Sequence, residues 1–235
     1  MTTTKTALVT GGSRGIGRAV ALDLAEDHHL LIGGTDAARV DSVIAEVQAA
    51  GGTAQPFLAD LADAEALAVA WKQAGVESLD VVVHSAGLAW MCPVAEAPLA
   101  EWRKMFELNV FAVAELTRLS LPALRAARGQ VITINSGSGY SSRAGGALYS
   151  GSKFALRAFT DALRAEERGT VRVTSIHPGR VDTDMQVAMQ ESMGNTDYDG
   201  ARYIAPASVA ATVRVAVDMP EASMVEELAI RPVSA

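Results

Sequence analysis

Seven short apolar runs, separated by longer amphipathic stretches, constrain this chain more than any other feature. TALVT (6–10), LLIGG (30–34), TAQPFLAD (53–60), LDVVVH (79–84), QVITIN (130–135) and VRVTSIH (171–177) come in order, and EELAI (226–230) closes the series. Between them, Val40, Val43, Ile44 and Val47 follow the i, i+3, i+4, i+7 spacing of one helix face, and Gly51 is placed to stop that helix. AEALAVAWKQAG (64–75) repeats the design and again closes on glycine. Near-continuous apolar strands alternating with helices predict an α/β architecture, a parallel sheet of about seven strands with helices on both faces. Right-handed crossovers make such a sheet doubly wound, and its ligand site then lies beyond the carboxyl ends of the strands.

No internal repeat, linker or low-complexity tail interrupts the alternation, so residues 1–235 are expected to form a single domain. The least regular part is 180–205, where Met185, Met189 and Met193 sit among Asp, Gly and Asn. Two readings stay open there: core residues on a helix, or a flexible lid over an apolar substrate, since methionine adapts its shape easily. A net charge of −7 argues against a nucleic-acid or anionic-membrane partner, though backbone amides can still hold a phosphate. Cys92 is the single cysteine, which excludes an intramolecular disulfide, and it is read as a small buried residue. The opening MTTTKTALVTGG lacks the apolar core of a signal peptide, and the apolar runs are too short to span a bilayer. A cytoplasmic location is the expectation, and no metal is expected.

The first run leads into TGGSRGIG (10–17) and then a helix. Gly11, Gly15 and Gly17 follow the order T-G-x-x-x-G-x-G. Glycine there lets the backbone turn tightly and lets a pyrophosphate approach the first amides of the helix. With the alternating strands, this predicts a Rossmann-type dinucleotide site. A carboxylate at the end of the second strand would accept bonds from the adenosine ribose and repel a 2′-phosphate. This chain has Gly33-Gly34-Thr35 there, and Asp36 is placed to start the next helix. Arg14, inside the glycine turn, could instead reach a 2′-phosphate. NADP(H) is therefore favoured, with NAD(H) the second candidate.

Tyr149 and Lys153, in YSGSK, stand four residues apart at the start of the helix after QVITIN, and so share one face. Tyr140 has Ala144 at the same offset and lacks such a partner. A phenol titrates near 10 and is a poor acid–base catalyst at neutrality. An ammonium about 4 Å away, at an effective dielectric of ~20, would favour the phenolate by up to ~4 kcal/mol, roughly three pKa units. Tyr149 is the candidate acid–base group and Lys153 its expected tuner.

TGGSRGIG, Asn109 in the LNV segment, Ser136 before the helix, YSGSK and HPGRVDT (177–183), taken together and in this order, resemble the short-chain dehydrogenases/reductases. Asp60-Leu61 is similar to that family's adenine-contacting pair. The resemblance runs from residue 10 to about 183, and the strand ending at Ile230 completes the fold. It implies that Tyr149 exchanges a proton with the substrate oxygen, that Lys153 lowers the tyrosine pKa and holds the nicotinamide ribose, and that Ser136 hydrogen-bonds the same oxygen, with Ser138 its rival. It also implies that Asn109 anchors a water linking Lys153 to solvent. The cofactor set it implies is Gly11, Ser13, Arg14, Gly15, Ile16, Gly17, Thr35, Asp60, Leu61, Ser85, Ala86, Gly87, Tyr149, Lys153, Pro178, Gly179, Val181 and Thr183. Where the family has Asn-Asn-Ala-Gly after the fourth strand, this chain has His84-Ser85-Ala86-Gly87, and His84 is read as a structural hydrogen-bonder.

The expectation is an NADP-dependent carbonyl reductase or alcohol dehydrogenase for a small or medium, fairly apolar carbonyl or alcohol substrate. Family resemblance implies a homotetramer or homodimer. An NAD-preferring alcohol dehydrogenase and a non-catalytic dinucleotide-sensing or scaffolding protein are the alternatives. Specificity is expected in 88–98, 139–147 and 184–203, with Trp90 as a candidate substrate contact; Trp71 and Trp102 are read as packing residues.

Overall fold

The computed structural model describes residues 5–233, so residues 1–4, where the segment read for a leader begins, lie outside it. Seven parallel strands form one sheet in the order β3-β2-β1-β4-β5-β6-β7. They are β1 (Lys5–Thr10), β2 (His28–Gly34), β3 (Thr53–Leu58), β4 (Val81–His84), β5 (Gln130–Ile134), β6 (Arg172–Pro178) and β7 (Glu227–Ile230). Helices α1 (Gly15–Leu24), α2 (Ala37–Ala49), α3 (Ala64–Ala74), α4 (Leu99–Phe106), α5 (Ala112–Ala127), α6 (Ala147–Glu166), α7 (Asp184–Ser192) and α8 (Pro206–Val217) fill the connections. Every run read as a strand is one. Pro56, which cannot donate to a ladder, sits in β3 at the sheet edge, where one side needs no partner.

Alternation within the strands builds the two layers. Ala7 and Val9, Leu30 and Ile32, and Val81 and Val83 face one core with α1, α2 and α8. Leu8, Leu31 and Val82, each one residue out of phase, face the other with α3, α5 and α6. Helix ends follow local chemistry. Asp36 caps α2 by accepting from the Arg39 amide, and Asp63 caps α3 by accepting from Glu65 and Ala66. Asp60, by contrast, closes a tight turn onto the Ala62 amide and caps no helix. Gly75, in the left-handed conformation, ends α3.

The chain steps outward from β1 to β2 and β3, then returns to place β4 on the other side of β1. That reversal opens a crevice between the loops after β1 and β4. Thr10 sets its width: the hydroxyl accepts from the Ser85 and Ala86 amides, each at 3.1 Å. At Gly11 (φ +63) a Cβ would meet the Ala86 Cα at 3.0 Å, so the two loops close only around glycine.

Candidate active site

Two cavities flank the crevice. The first, about 340 Å³, lies over the carboxyl ends of β1 to β4. It is lined by Gly11, Ser13, Arg14, Gly15, Ile16, Gly17, Thr35, Asp60, Leu61, Ser85, Ala86, Gly87 and Thr183, all expected from the sequence. Gly34, Leu88, Leu108 and Met185 line it as well. Helix α1 enters it by its amino end, and Arg14 at the cap position makes no side-chain cap bond. The first-turn amides are thus left for an anion, and the helix dipole favours one. Arg14 has no carboxylate partner among the described residues. An extended group with phosphates at the glycine turn and a ribose near Thr35 matches this donor set.

The second cavity, about 310 Å³, lies over β5 and β6 and is lined by Ser136, Tyr149, Pro178 and Gly179 among others. Ser136 lies two residues beyond β5, and its hydroxyl accepts from the Ser138 amide at 3.1 Å. That hydroxyl also draws down the pKa of the Tyr149 phenol, and Ser138 lines the same cavity. His177 fixes this corner by pairing its Nδ1 with the Ser136 carbonyl at 3.0 Å. Tyr140 is turned elsewhere: its hydroxyl donates to Glu227 at 2.8 Å and its ring lies under the Arg157 guanidinium.

Lys153 lies behind Tyr149, 6% exposed, and lines neither cavity. Its Nζ donates to the Ile134 carbonyl at 3.0 Å and stands 5.9 Å from the centre of the Tyr149 ring. Burial holds the ammonium down, to a pKa of about 8. The expectation that it draws the phenol toward neutrality is not met. Burial pushes the Tyr149 phenol above its ordinary value, against a smaller lowering by the Ser136 hydroxyl. Loss of water around the oxygen outweighs a lysine whose hydrogen bond is directed at a carbonyl.

Asn109 sits in a π-helical turn, Glu107–Phe111, between α4 and α5, and is 1% exposed. Its Oδ1 accepts from the Leu88 amide at 2.8 Å, while Nδ2 donates to the Leu88 carbonyl at 2.9 Å and the Ser152 hydroxyl at 3.0 Å. The side chain therefore clamps the loop after β4 to α6, one residue from Lys153. His84 is buried, its Nε2 3.0 Å from the Thr117 hydroxyl, and burial lowers its pKa to about 4. It is a neutral structural group, as its place in the scaffold implied. Val181, expected beside the cofactor, lines neither cavity; it is buried and bridges Ile204. Trp90 lines neither cavity and lies under the Lys104 ammonium, whereas its neighbour Met91 reaches the second one. Cys92 is half-buried rather than buried, because it sits in an irregular loop away from both cores.

Helix α7 overturns another reading. Its inward face carries Gln186 and Gln190, while Met185 and Met193 are exposed and Met189 is half-buried. These methionines are not core. The helix lies over a cavity whose wall carries Ser136, Ser138, Ser142 and Arg143, and Gln186 and Gln190 take the buried positions facing it. Arg180, Ser150 and Leu108 also line cavities from outside the segments expected to carry specificity.

A family model described as short chain dehydrogenase matches residues 5–194. The chain belongs to the short-chain dehydrogenase/reductase family. It is similar to serine 3-dehydrogenase of Rhizobium radiobacter, at 32% identity over 97% of this chain and 94% of that protein. Among solved structures it is similar to an alcohol dehydrogenase from the archaeon Thermococcus sibiricus complexed with 5-hydroxy-NADP, with a TM-score of 0.89 and 28% identity over 98% of this chain and 97% of that one. A 3-oxoacyl-[acyl-carrier protein] reductase with bound NAD from Brucella melitensis gives a TM-score of 0.83 at 28% identity, over 97% and 89% of the two chains. This short-chain dehydrogenase/reductase is therefore an oxidoreductase that works with a nicotinamide cofactor. No described helix is long and apolar enough to cross a membrane.

Proposed function

We propose that the enzyme transfers hydride between NADP(H) and a carbonyl or secondary alcohol substrate, with Tyr149, Ser136, Lys153 and Asn109 as its working set. The observation that carries this reading is that Ser136 and Tyr149 together line the second cavity, beside the first one with its glycine turn. The first-turn amides of α1 would hold the pyrophosphate, and Arg14 with Thr35 the 2′-phosphate. The nicotinamide supplies or accepts the hydride when bound. Tyr149, its pKa raised, keeps its proton at neutral pH and gives it to the carbonyl oxygen in reduction. Ser136 steadies that oxygen with a second hydrogen bond. Lys153 is charged at pH 7 and holds the nicotinamide ribose. Asn109 acts through position, keeping Leu88 and α6 in register around the lysine.

Residues 1–235 act as one domain in this reading, with 180–205 as a lid, since α7 presents Met185 to one cavity and Met189 to the other. A cytoplasmic homodimer or homotetramer completes it. The test is Tyr149→Phe. Turnover with NADPH should fall by about 10²–10⁴-fold while NADPH still binds, as read by tryptophan fluorescence. A variant that keeps its rate would remove Tyr149 from the chemistry.

A further inference from the structure

The second cavity differs in charge from the molecule around it. The chain carries −7 overall, yet among the described residues no Asp or Glu lines this cavity and two arginines, Arg143 and Arg180, do. Most arginines elsewhere pair with carboxylates. Neither of these two forms an ion pair or a side-chain hydrogen bond among the described residues, and Arg180 rests its guanidinium 5.2 Å over the Tyr203 ring. Both are exposed at the rim, while Ser136 and Tyr149 lie deeper. A second observation comes from α7. Gln186 lines the same cavity and is 9% exposed, and its amide nitrogen is buried without any partner. The neighbouring Gln190 has its oxygen engaged by the Asn195 amide at 2.7 Å, so Gln186 is the unsatisfied donor on this face. A buried amide N–H without an acceptor asks for one from a ligand.

We propose that the substrate is a short acid bearing a carboxylate: a hydroxy acid in oxidation, an oxo acid in reduction. This rests on Tyr149 and Ser136 being the reacting end. The guanidinium forks of Arg143 and Arg180 receive the carboxylate at the rim, where their planar donors match its two oxygens. Gln186 donates to the acid or to a polar group along its chain. The distal hydroxyl then reaches Tyr149. In oxidation the carbinol C–H leaves as hydride to the oxidised nicotinamide and the O–H proton passes to Tyr149 in its phenolate form, the phenol having first released its own proton to solvent, so one cofactor is reduced per C=O formed. At about 310 Å³ the cavity is at the small end of ligand sites, roughly 300–1,000 Å³, which limits the chain length. Met91, Pro178 and Met189 give it an apolar wall beside the arginines.

The test measures binding by calorimetry to protein saturated with NADP⁺, together with turnover. The probes are lactate, 3-hydroxypropanoate and 3-hydroxybutanoate, each against its own methyl ester. At least one acid should bind about tenfold or more tighter than its ester, as an Arg–carboxylate contact implies. In an Arg143→Gln/Arg180→Gln double variant that ratio should fall toward one, and Gln186→Leu should weaken the acid several-fold. Both arginines are exposed, so their replacement spares the core. Esters bound as tightly as acids, a preference that survives the double substitution, or no probe bound to the NADP⁺-loaded protein would each overturn the proposal. Failure of NADP⁺ itself to bind would instead remove the function beneath it, and this inference with it.

Discussion

Lys153 should cost the fold stability, and the cost can be measured by removing its charge. Burial lowers the ammonium pKa from 10.5 to about 8, a difference of roughly 2.5 units, or about 3 kcal/mol of penalty on the charged form. Lys153→Met keeps the length of the side chain and removes the charge, but it strips the Ile134 carbonyl of its donor, which costs about 1 kcal/mol. The variant should therefore be more stable than the parent by about 2 kcal/mol at pH 7, or about 4–8 °C in Tm for a chain of this size. The sign with pH is fixed. Below about 8 both folded and unfolded lysine are charged and the full penalty applies. Between 8 and 10.5 the unfolded chain holds the proton that the folded one has lost, so the parent gains stability as pH rises. Above 10.5 the two are neutral and the penalty is gone. Urea unfolding of both proteins at pH 7 and pH 11, without cofactor, reads this directly: the variant's advantage should be present at the first and absent at the second. A variant less stable at pH 7, or an advantage independent of pH, would show that burial does not burden this lysine. The same substitution should weaken NADPH binding, so stability and function would move in opposite directions at one residue.

Arg14→Ala should weaken NADPH by about ten- to a hundredfold, the worth of one charge-assisted contact, and leave NADH within about twofold; equal losses for both would dissociate Arg14 from the 2′-phosphate. Thr35→Asp should reverse the preference toward NADH, by placing a carboxylate where the ribose ends, and competitive titration of the two cofactors checks it. His84, held neutral with a pKa of about 4 against 6.5 when unfolded, takes up its proton later than the unfolded chain as pH falls. About 3 kcal/mol of stability should thus drain away between pH 6.5 and 4, and His84→Gln should flatten that slope in urea unfolding; an unchanged slope would assign the acid loss to other groups.

What the sequence made legible follows periodicity and spacing. Strand alternation as in Ala7-Leu8-Val9 needs only the period of two to sort side chains between the layers, so all seven strands and the order of the site loops could be read directly. The glycine turn was legible for the same kind of reason. Gly17 approaches the Gly11 carbonyl so closely that a Cβ would lie 2.2 Å from it, a local demand that local sequence records. Asn109 was placed by its motif, but its three-way clamp on Leu88 and Ser152 was not, because both partners come from distant segments and meet only once the sheet exists.

The choice between the two readings of α7 and the surroundings of Lys153 escaped the sequence for one shared reason: neither periodicity nor spacing encodes solvation. The rule that apolar residues face inward presumes an apolar interior, and α7 packs over a cavity lined by Ser136, Arg180 and other polar groups, so Gln186 and Gln190 turn inward and the methionines outward. Likewise the four-residue offset of Tyr149 and Lys153 fixes their common face but not the water around them. Their expected coupling assumed a separation of about 4 Å, whereas Nζ stands 5.9 Å from the centre of the ring and donates to the Ile134 carbonyl. Once α6 buries them, each group's loss of water dominates and moves the two pKa values toward the neutral forms, the phenol up and the ammonium down. It follows that any lowering of the phenol must arise with bound nicotinamide. A ribose drawing Nζ off the Ile134 carbonyl would change the field at Tyr149, so the pH profile of turnover should show a tyrosine ionisation below the one that spectroscopic titration finds in the protein alone. Coincidence of the two values would mean that Lys153 positions the cofactor and leaves the phenol untuned.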